Sequence, residues 1–431
     1  MRIHLSGVQF RCLFLIAILL PAGVLAWVAG QIWLAAHWYY SSNPALWLKA
    51  ATLEPDNPSY WERLGLYEQW DLRNGDLRQA ATYLEQATKA NPGSDQLWME
   101  LASVYENMGE GARAKQSYEK AQLAHPISAE VAWRYGSFLL RQADVGSGFA
   151  QIRRALTITP ALTSSAIAEC WKASPNIEVI LNFALPPRPD YYLAAITFLI
   201  TEKQLDAALA VWNRLLTLKK RIEMAQASPL TNAFIDQNRV HEAHQIWTQA
   251  LELTGRPQQQ NDNGSIVFNG GFEYQPANAG FDWREQGVQG VSYALDTVVA
   301  HSGKQSLRIV FDGSSNLDFT YLQYIPVQPR HLYHFSAYLR TESITTDSGL
   351  RFLINDPFHP DKIQILTPNI VGTTPWIPVN AEILTDSDTD LIVIALRRIP
   401  SWKFDNKLSG TAWFDDVELV PAEDVPKVSS R

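Results

Sequence analysis

Proline recurs along the first part of the chain at Pro55, Pro92, Pro126 and Pro160, with spacings of 37, 34 and 34 residues. A fixed period of this length points to stacked copies of one supersecondary unit, since so short a unit buries its apolar face only against neighbours. Between the prolines the apolar residues keep the helical period. Trp98, Leu101, Ala102 and Tyr105 fall at i, i+3, i+4 and i+7 and share one face. The small residues Ala102, Ala114 and Ala121 let a second helix approach closely. Proline cannot continue a helix, so each proline separates two units.

The clearest unit spans 95–126, with Trp98, Leu101, Ala102 and Tyr105 on its first helix and Ala114, Tyr118 and Ala121 on its second. The unit before it has Trp61, Leu64, Gly65, Ala80, Tyr83, Ala87 and Pro92, and is three residues longer through the 70–75 turn. The unit after it has Gly136, Gly148, Ile152, Ala155 and Pro160, with Trp133 displaced by one place. Residues 43–55 read as the second helix of a truncated first unit. This pattern resembles the tetratricopeptide repeat. The resemblance covers 43–160 and implies an all-α superhelix that binds a protein partner. Its Trp and Tyr residues read as core, while Arg63, Asn107 and Arg134 are surface candidates for that partner. Over 161–253 the consensus decays into degenerate hairpins. There 199–216 aligns with 234–251, matching Ala208 to Ala243, Trp212 to Trp247 and Leu216 to Leu251. The run Pro186-Pro187-Arg188-Pro189 breaks the helical region in two.

Residues 12–36 hold Gln31 as their one strongly polar side chain. A helix of this length is about 37 Å long, enough to cross a hydrocarbon core of about 30 Å. Trp27, Trp33, Trp38, Tyr39 and Tyr40 lie in its far half or just beyond, where interfacial aromatics belong. Arg2 and Arg11 precede the span and no cation follows until Lys49, which places residues 1–11 in the cytoplasm and the remainder outside it. The expectation is an uncleaved signal anchor in a bacterial inner membrane, single-pass, with a periplasmic C-terminal region. A cleaved signal peptide ending near Ala26 is the alternative.

Residues 254–264, TGRPQQQNDNG, have the composition of a linker. Beyond them short alternating apolar runs are separated by turn residues over 265–421, which predicts an antiparallel β-sandwich, followed by a tail at 422–431. Asn269-Gly270-Gly271-Phe272-Glu273, Gly280-Phe281-Asp282-Trp283, the 301–308 and 333–339 segments and Thr411 to Leu419 occur in an order that resembles the jelly-roll carbohydrate-binding modules. The resemblance implies a structural calcium at Glu273, the Lys304 carbonyl, and Asp415 or Asp416. Otherwise no cofactor is expected. Glycan stacking would fall to Trp402, Trp376, Tyr321 and Tyr324, with Trp402 the best placed, whereas Trp283 and Trp413 read as core.

Lys and Arg number 36 against 44 Asp and Glu, a net charge of -8, which excludes a broad phosphate-binding face and hence a nucleic-acid partner. The two cysteines, Cys12 and Cys170, are not expected to pair. No Walker, Rossmann, G-x-S-x-G, H-E-x-x-H or C-x-x-C motif occurs. Asp356, His359 and Asp361 read as a proline-shaped turn, and His241 and His244 as surface residues. The chain is expected not to be an enzyme. It reads as a membrane-anchored scaffold or assembly factor in polysaccharide synthesis or export, an expectation by analogy. The alternative is a glycan-binding protein acting through the sandwich.

Overall fold

The structure, a computed structural model, describes residues 7–71, 73, 75–256 and 264–422. Residues 1–6, Leu72, Asn74, most of the expected linker and nearly all of the expected tail lie outside the described residues. The chain divides into two compact units, Met1–Pro187 and Arg188–Arg431.

In the first unit helix α1 (Val8–Tyr39) is followed by α2 (Pro44–Leu53), α3 (Pro58–Trp70) and α4 (Leu77–Ala90). Then come α5 (Asp95–Asn107), α6 (Gly111–Ala124), α7 (Ala129–Arg141) and α8 (Val145–Ile158), and finally α9 (Thr163–Ala173) and α10 (Ile177–Phe183). Short polar side chains start these helices. Asn43, Asn57, Asp76, Ser94, Ser128, Asp144 and Asn176 each accept a backbone N–H from the first turn, satisfying donors the helix leaves free. Successive pairs, α3 with α4, α5 with α6 and α7 with α8, form the hairpins the proline period predicts. The structure also explains why tryptophan and proline recur together. The Trp61 indole donates to the Pro55 carbonyl at 2.9 Å, and the Trp98 indole donates to the Pro92 carbonyl at the same distance. Where Trp133 is displaced by one place, the Pro126 carbonyl instead accepts from Arg154.

Helix α1 is long and apolar enough to cross a membrane over Cys12–Tyr39. It does not end at residue 36. Its last turns serve as the missing first helix of the truncated repeat: Ala35 is fully buried, in one core with Trp47, Ala50, Ala51, Tyr60 and Leu64. Tyr39 lies against Tyr60 with ring centroids 5.0 Å apart, and Arg63 donates to the Tyr39 carbonyl at 2.7 Å while covering the Trp47 ring at 4.1 Å. Tyr39 therefore acts in the repeat core rather than as a free interfacial aromatic, and Arg63 is a packing residue rather than a surface candidate.

The second unit opens with two helical hairpins, α11 (Pro189–Thr201) with α12 (Leu205–Thr217) and α13 (Met224–Asp236) with α14 (Val240–Thr254). Ten strands follow: β1 (Arg284–Glu285), β2 (Val291–Asp296), β3 (Ser306–Asp312), β4 (Phe319–Pro326), β5 (Leu332–Ile344), β6 (Arg351–Asn355), β7 (Gln364–Leu366), β8 (Gly372–Leu384), β9 (Leu391–Arg398) and β10 (Ser409–Pro421). They form two five-stranded antiparallel sheets, ordered β1-β4-β9-β6-β7 and β2-β3-β10-β5-β8, packed face to face as a sandwich. The alternation is plain in β4, where Phe319, Tyr321, Gln323 and Ile325 are buried and the residues between them are not. Phe272, Trp283, Tyr321 and Phe414 meet at the centre of the core. Trp283 is fully buried and its indole donates to the Asn269 carbonyl at 3.1 Å.

Within this unit α13 and α14 touch the sandwich. Trp247 of α14 packs edge-on to Phe268 and Phe281 of the sandwich, with centroids 5.8 Å and 6.4 Å away. The Asn232 side-chain oxygen on α13 accepts from the Gly280 N–H at 3.1 Å and from Arg284 at 2.8 Å.

Candidate functional site

In the first unit, α4, α5 and α6 border a crevice of 580 Å³. Trp98 and Tyr105 supply its aromatic wall, and Lys89 and Lys120 its cations. Glu85 accepts from the Tyr105 hydroxyl and from Arg113 at 2.5 Å, and the Arg113 guanidinium lies over the Tyr105 ring at 4.0 Å. Burial, reinforced by Glu85, pushes the Tyr105 phenol well above its ordinary range. The crevice thus joins an apolar surface, a fixed ion pair and two lysines, features that suit a partner bearing both apolar and acidic groups. Trp98 is only partly buried and belongs to the core and the crevice together. Arg134 pairs with Glu130 at 2.9 Å.

In the sandwich the four residues expected at a calcium converge on the loop before β3. Glu273 accepts from the Lys304 N–H at 2.8 Å, and Asp415 from the His301 and Ser302 N–H groups at 2.9 and 3.3 Å. Asp416 bonds the Ser302 hydroxyl and the His301 ring, both at 2.6 Å. Carboxylates and a carbonyl are the right donors for calcium. In this arrangement, however, the carboxylates are taken up by loop donors, and among the described residues no group of three or more His, Cys, Asp or Glu is set to hold a metal. Asp415 is fully buried, and burial foremost, with Asp416 adding, raises its pKa to about 6. Asp282 is also fully buried and raised to about 6 by burial, against the opposing N–H bonds from Ala277 and Trp283.

Between about pH 4 and 6 the folded state therefore keeps a proton on these two acids that the unfolded chain, with an ordinary carboxyl, has lost. Their contribution to stability falls as pH rises from about 4 through 6, by at most about 3 kcal/mol each. Carboxyl ¹³C NMR should place both midpoints near 6. Midpoints near 4 would mean that burial is offset by hydrogen bonding.

The four expected glycan-stacking residues are scattered. Tyr321 is 3% exposed and stacked on Trp283 at 5.8 Å, so its ring faces belong to the core. It lies on an inward-facing position of β4, which is the physical reason the expectation fails. It does line a 250 Å³ cavity with Trp283, Tyr293 and Glu285. Tyr324 points outward, but the Arg284 guanidinium covers its ring at 4.6 Å. Trp376 is half-buried and edge-on to His301 at 5.6 Å. Trp402 is fully exposed, and so is Phe404 two places on. Trp413 is buried, yet on the outer face of its sheet, where its indole donates to Asp296 at 2.9 Å beneath Arg340. Asp356 accepts from the Phe358 and His359 N–H groups, the turn expected for that loop.

A surface that the sequence reading missed is the outer face of the β1-β4-β9-β6-β7 sheet. Strand register sets Thr320, Arg397 and Arg351 in one row, Leu322, Ala395 and Leu353 in the next, and Tyr324, Val393 and Asn355 in a third. On the middle strand small Ala395 and Val393 are buried beneath partly exposed flanking residues, Leu322 and Leu353 in one row and Tyr324 and Asn355 in the next. Strand β9 reads as a continuous apolar run, which hid its outward positions.

The tetratricopeptide repeat family model matches residues 71–140. No match was found among curated protein sequences. Among solved structures, the chain is similar to a tetratricopeptide repeat protein from Parabacteroides merdae, at 16% identity and TM-score 0.29, over 49% of this chain and 85% of that one. It is similar to YrrB, a TPR protein with an unusual peptide-binding site, at 13% identity and TM-score 0.26, over 48% and 92%. It is also similar to TmCBM61, solved in complex with beta-1,4-galactotriose, at 17% identity and TM-score 0.27, over 37% and 99%.

Proposed function

We propose that this chain is a non-catalytic, membrane-anchored scaffold that binds a protein partner through its helical repeats. The observation that carries the reading is the crevice between α4, α5 and α6, where Trp98 and Tyr105 lie beside Lys89, Lys120 and Arg113. The continuity of α1 with the first repeat supports it, since a helix suited to a bilayer is then fixed to the array without a flexible joint. On this reading the repeats stand on the periplasmic side of a bacterial inner membrane, and the process served is polysaccharide synthesis or export. The test is cross-linking and co-purification of the full chain from membranes. Lys89→Glu with Lys120→Glu should cut recovery of the partner at least tenfold, with the melting temperature unchanged. Equal recovery would sink the crevice as the binding site.

A second reading, direct capture of glycan by the sandwich, is favoured by the exposed Trp402 and by the partly exposed arginines and leucines on the outer face of the β1-β4-β9-β6-β7 sheet. Calcium at the 301–304 loop belongs to this proposal as well, with Glu273, the Lys304 carbonyl, Asp415 and Asp416 as its ligands in place of the loop hydrogen bonds. Calcium in the millimolar range should then raise the melting temperature of the sandwich by several degrees over a chelator control. No shift would leave the cluster as a hydrogen-bonded cap.

A further inference from the structure

We infer that the outer face of the β1-β4-β9-β6-β7 sheet receives a carboxylate-bearing saccharide chain, with Arg351 and Arg397 as the carboxylate receptor. This rests on the glycan-binding reading of the sandwich and names the chemical class bound. Arg351 and Arg397 are register partners on adjacent antiparallel strands, β6 and β9. Like charges directly opposite each other on a sheet repel. A chain carrying net -8 has acids enough to separate them, yet among the described residues only Asp318 comes near, 3.3 Å from Arg397. Among the described residues Arg351 has no carboxylate in ion-pair range. The Nε atoms of both arginines are buried and have no hydrogen-bond partner. These Nε atoms are sealed from solvent, but both arginines are partly exposed, so an acceptor from outside would meet their terminal nitrogens. A planar carboxylate matches the guanidinium fork and would relieve the repulsion as well.

The surroundings favour a sugar chain over an acidic peptide. The next row on this face is apolar, with Leu322 and Leu353 partly exposed on either side of buried Ala395, and exposed Leu366 of β7 extends it. Beyond it stand the amides of Asn355 and Gln364. Sugar rings can lie on such a strip and keep their hydroxyls in water or on the amides. A peptide pairs with sheet edges through its backbone, and a sheet face offers it no backbone donors. Five strands at about 4.8 Å span roughly 19 Å, room for several rings.

The experiment measures binding of the full chain in detergent to polygalacturonate, polyguluronate and hyaluronate, each against its carboxyl-reduced form, with polyglutamate as the peptide control. The wild type should bind at least one uronate polymer ten or more times more tightly than its reduced form and than polyglutamate. Arg351→Gln with Arg397→Gln should lose tenfold or more, and the double Lys variant should not restore it, since an ammonium lacks the fork. The unliganded Gln variant should melt no lower than wild type, because a repulsion has been removed. Equal binding to a polymer and its reduced form, or binding that survives both Gln substitutions, overturns the carboxylate receptor and leaves the glycan reading standing. Equal binding to polyglutamate overturns the saccharide assignment. No binding to any polymer, charged or reduced, overturns both readings.

Discussion

Trp247→Ala should destabilise the second unit by about 3–5 kcal/mol, the cost typical of deleting a buried aromatic side chain. Trp247 is 3% exposed and its ring is shared between α14 and the sandwich. The fit is tight at Gly280, where a Cβ would come within 2.3 Å of the Trp247 ring and φ is +56°. A side chain there is strained twice, by contact and by backbone. Gly280→Ala should therefore reproduce much of the loss from the other side of the contact. Urea unfolding followed by near-ultraviolet circular dichroism should show one cooperative transition for residues 188–422 that moves to lower urea in both variants. If either variant unfolds the helices and leaves the sandwich transition in place, the two are independent and the packing at Trp247 is incidental. By the same argument, a fragment cut at residue 264 exposes Phe268 and Phe281 and should be less stable than one cut at 188.

Trp247 also shows how far the sequence reaches. Its alignment with Trp212 marked it as part of a degenerate hairpin, and it is one. Its second role, against Phe281, depends on how α14 meets the sandwich, and no local period encodes that meeting. The same limit applies at α1. The apolar run was evident, but the burial of Ala35 in the first repeat follows from a tertiary contact with α2. The periodic elements were legible because their signals are local: the Trp98 face, the proline spacing, the alternation in β4. The site was less so. Tyr321 and Tyr324 lie three places apart on one strand and therefore on opposite faces, which parity alone could have separated once the strand start was known. Arg351 and Arg397 lie 46 positions apart and become neighbours only through strand register.

Arg398 is the residue whose loss should join a large stability effect to the presentation of Trp402. It ends the apolar run of β9 and is fully buried. Its Nε donates to the Ser348 carbonyl at 3.1 Å, one Nη to the Asn316 side chain at 2.7 Å and to the Leu317 carbonyl, and the other to the Asn406 carbonyl at 2.9 Å. Burial lowers its pKa, which the fields of Asp347 and Asp318 oppose. Asn316 in turn holds both the N–H and the carbonyl of Ser401, at 2.9 and 2.8 Å. One guanidinium thus ties both ends of the loop that carries Trp402 and Phe404 into solvent. Arg398→Ala removes a donor from four acceptors; Asn316 keeps the Ser401 N–H and Ser348 keeps the Thr346 hydroxyl, but the Leu317 and Asn406 carbonyls lose the guanidinium, at about 1–3 kcal/mol for each that stays buried, so a total loss of about 2–5 kcal/mol is expected. Arg398→Lys should recover less than half, because a single ammonium cannot span acceptors placed around a planar fork. Limited proteolysis should then cut within 399–408 in the Lys variant under conditions where the wild-type loop resists, while the sandwich remains folded by circular dichroism. Wild-type protection of the loop in that variant would show that Asn316 and Ser401 hold it without the arginine.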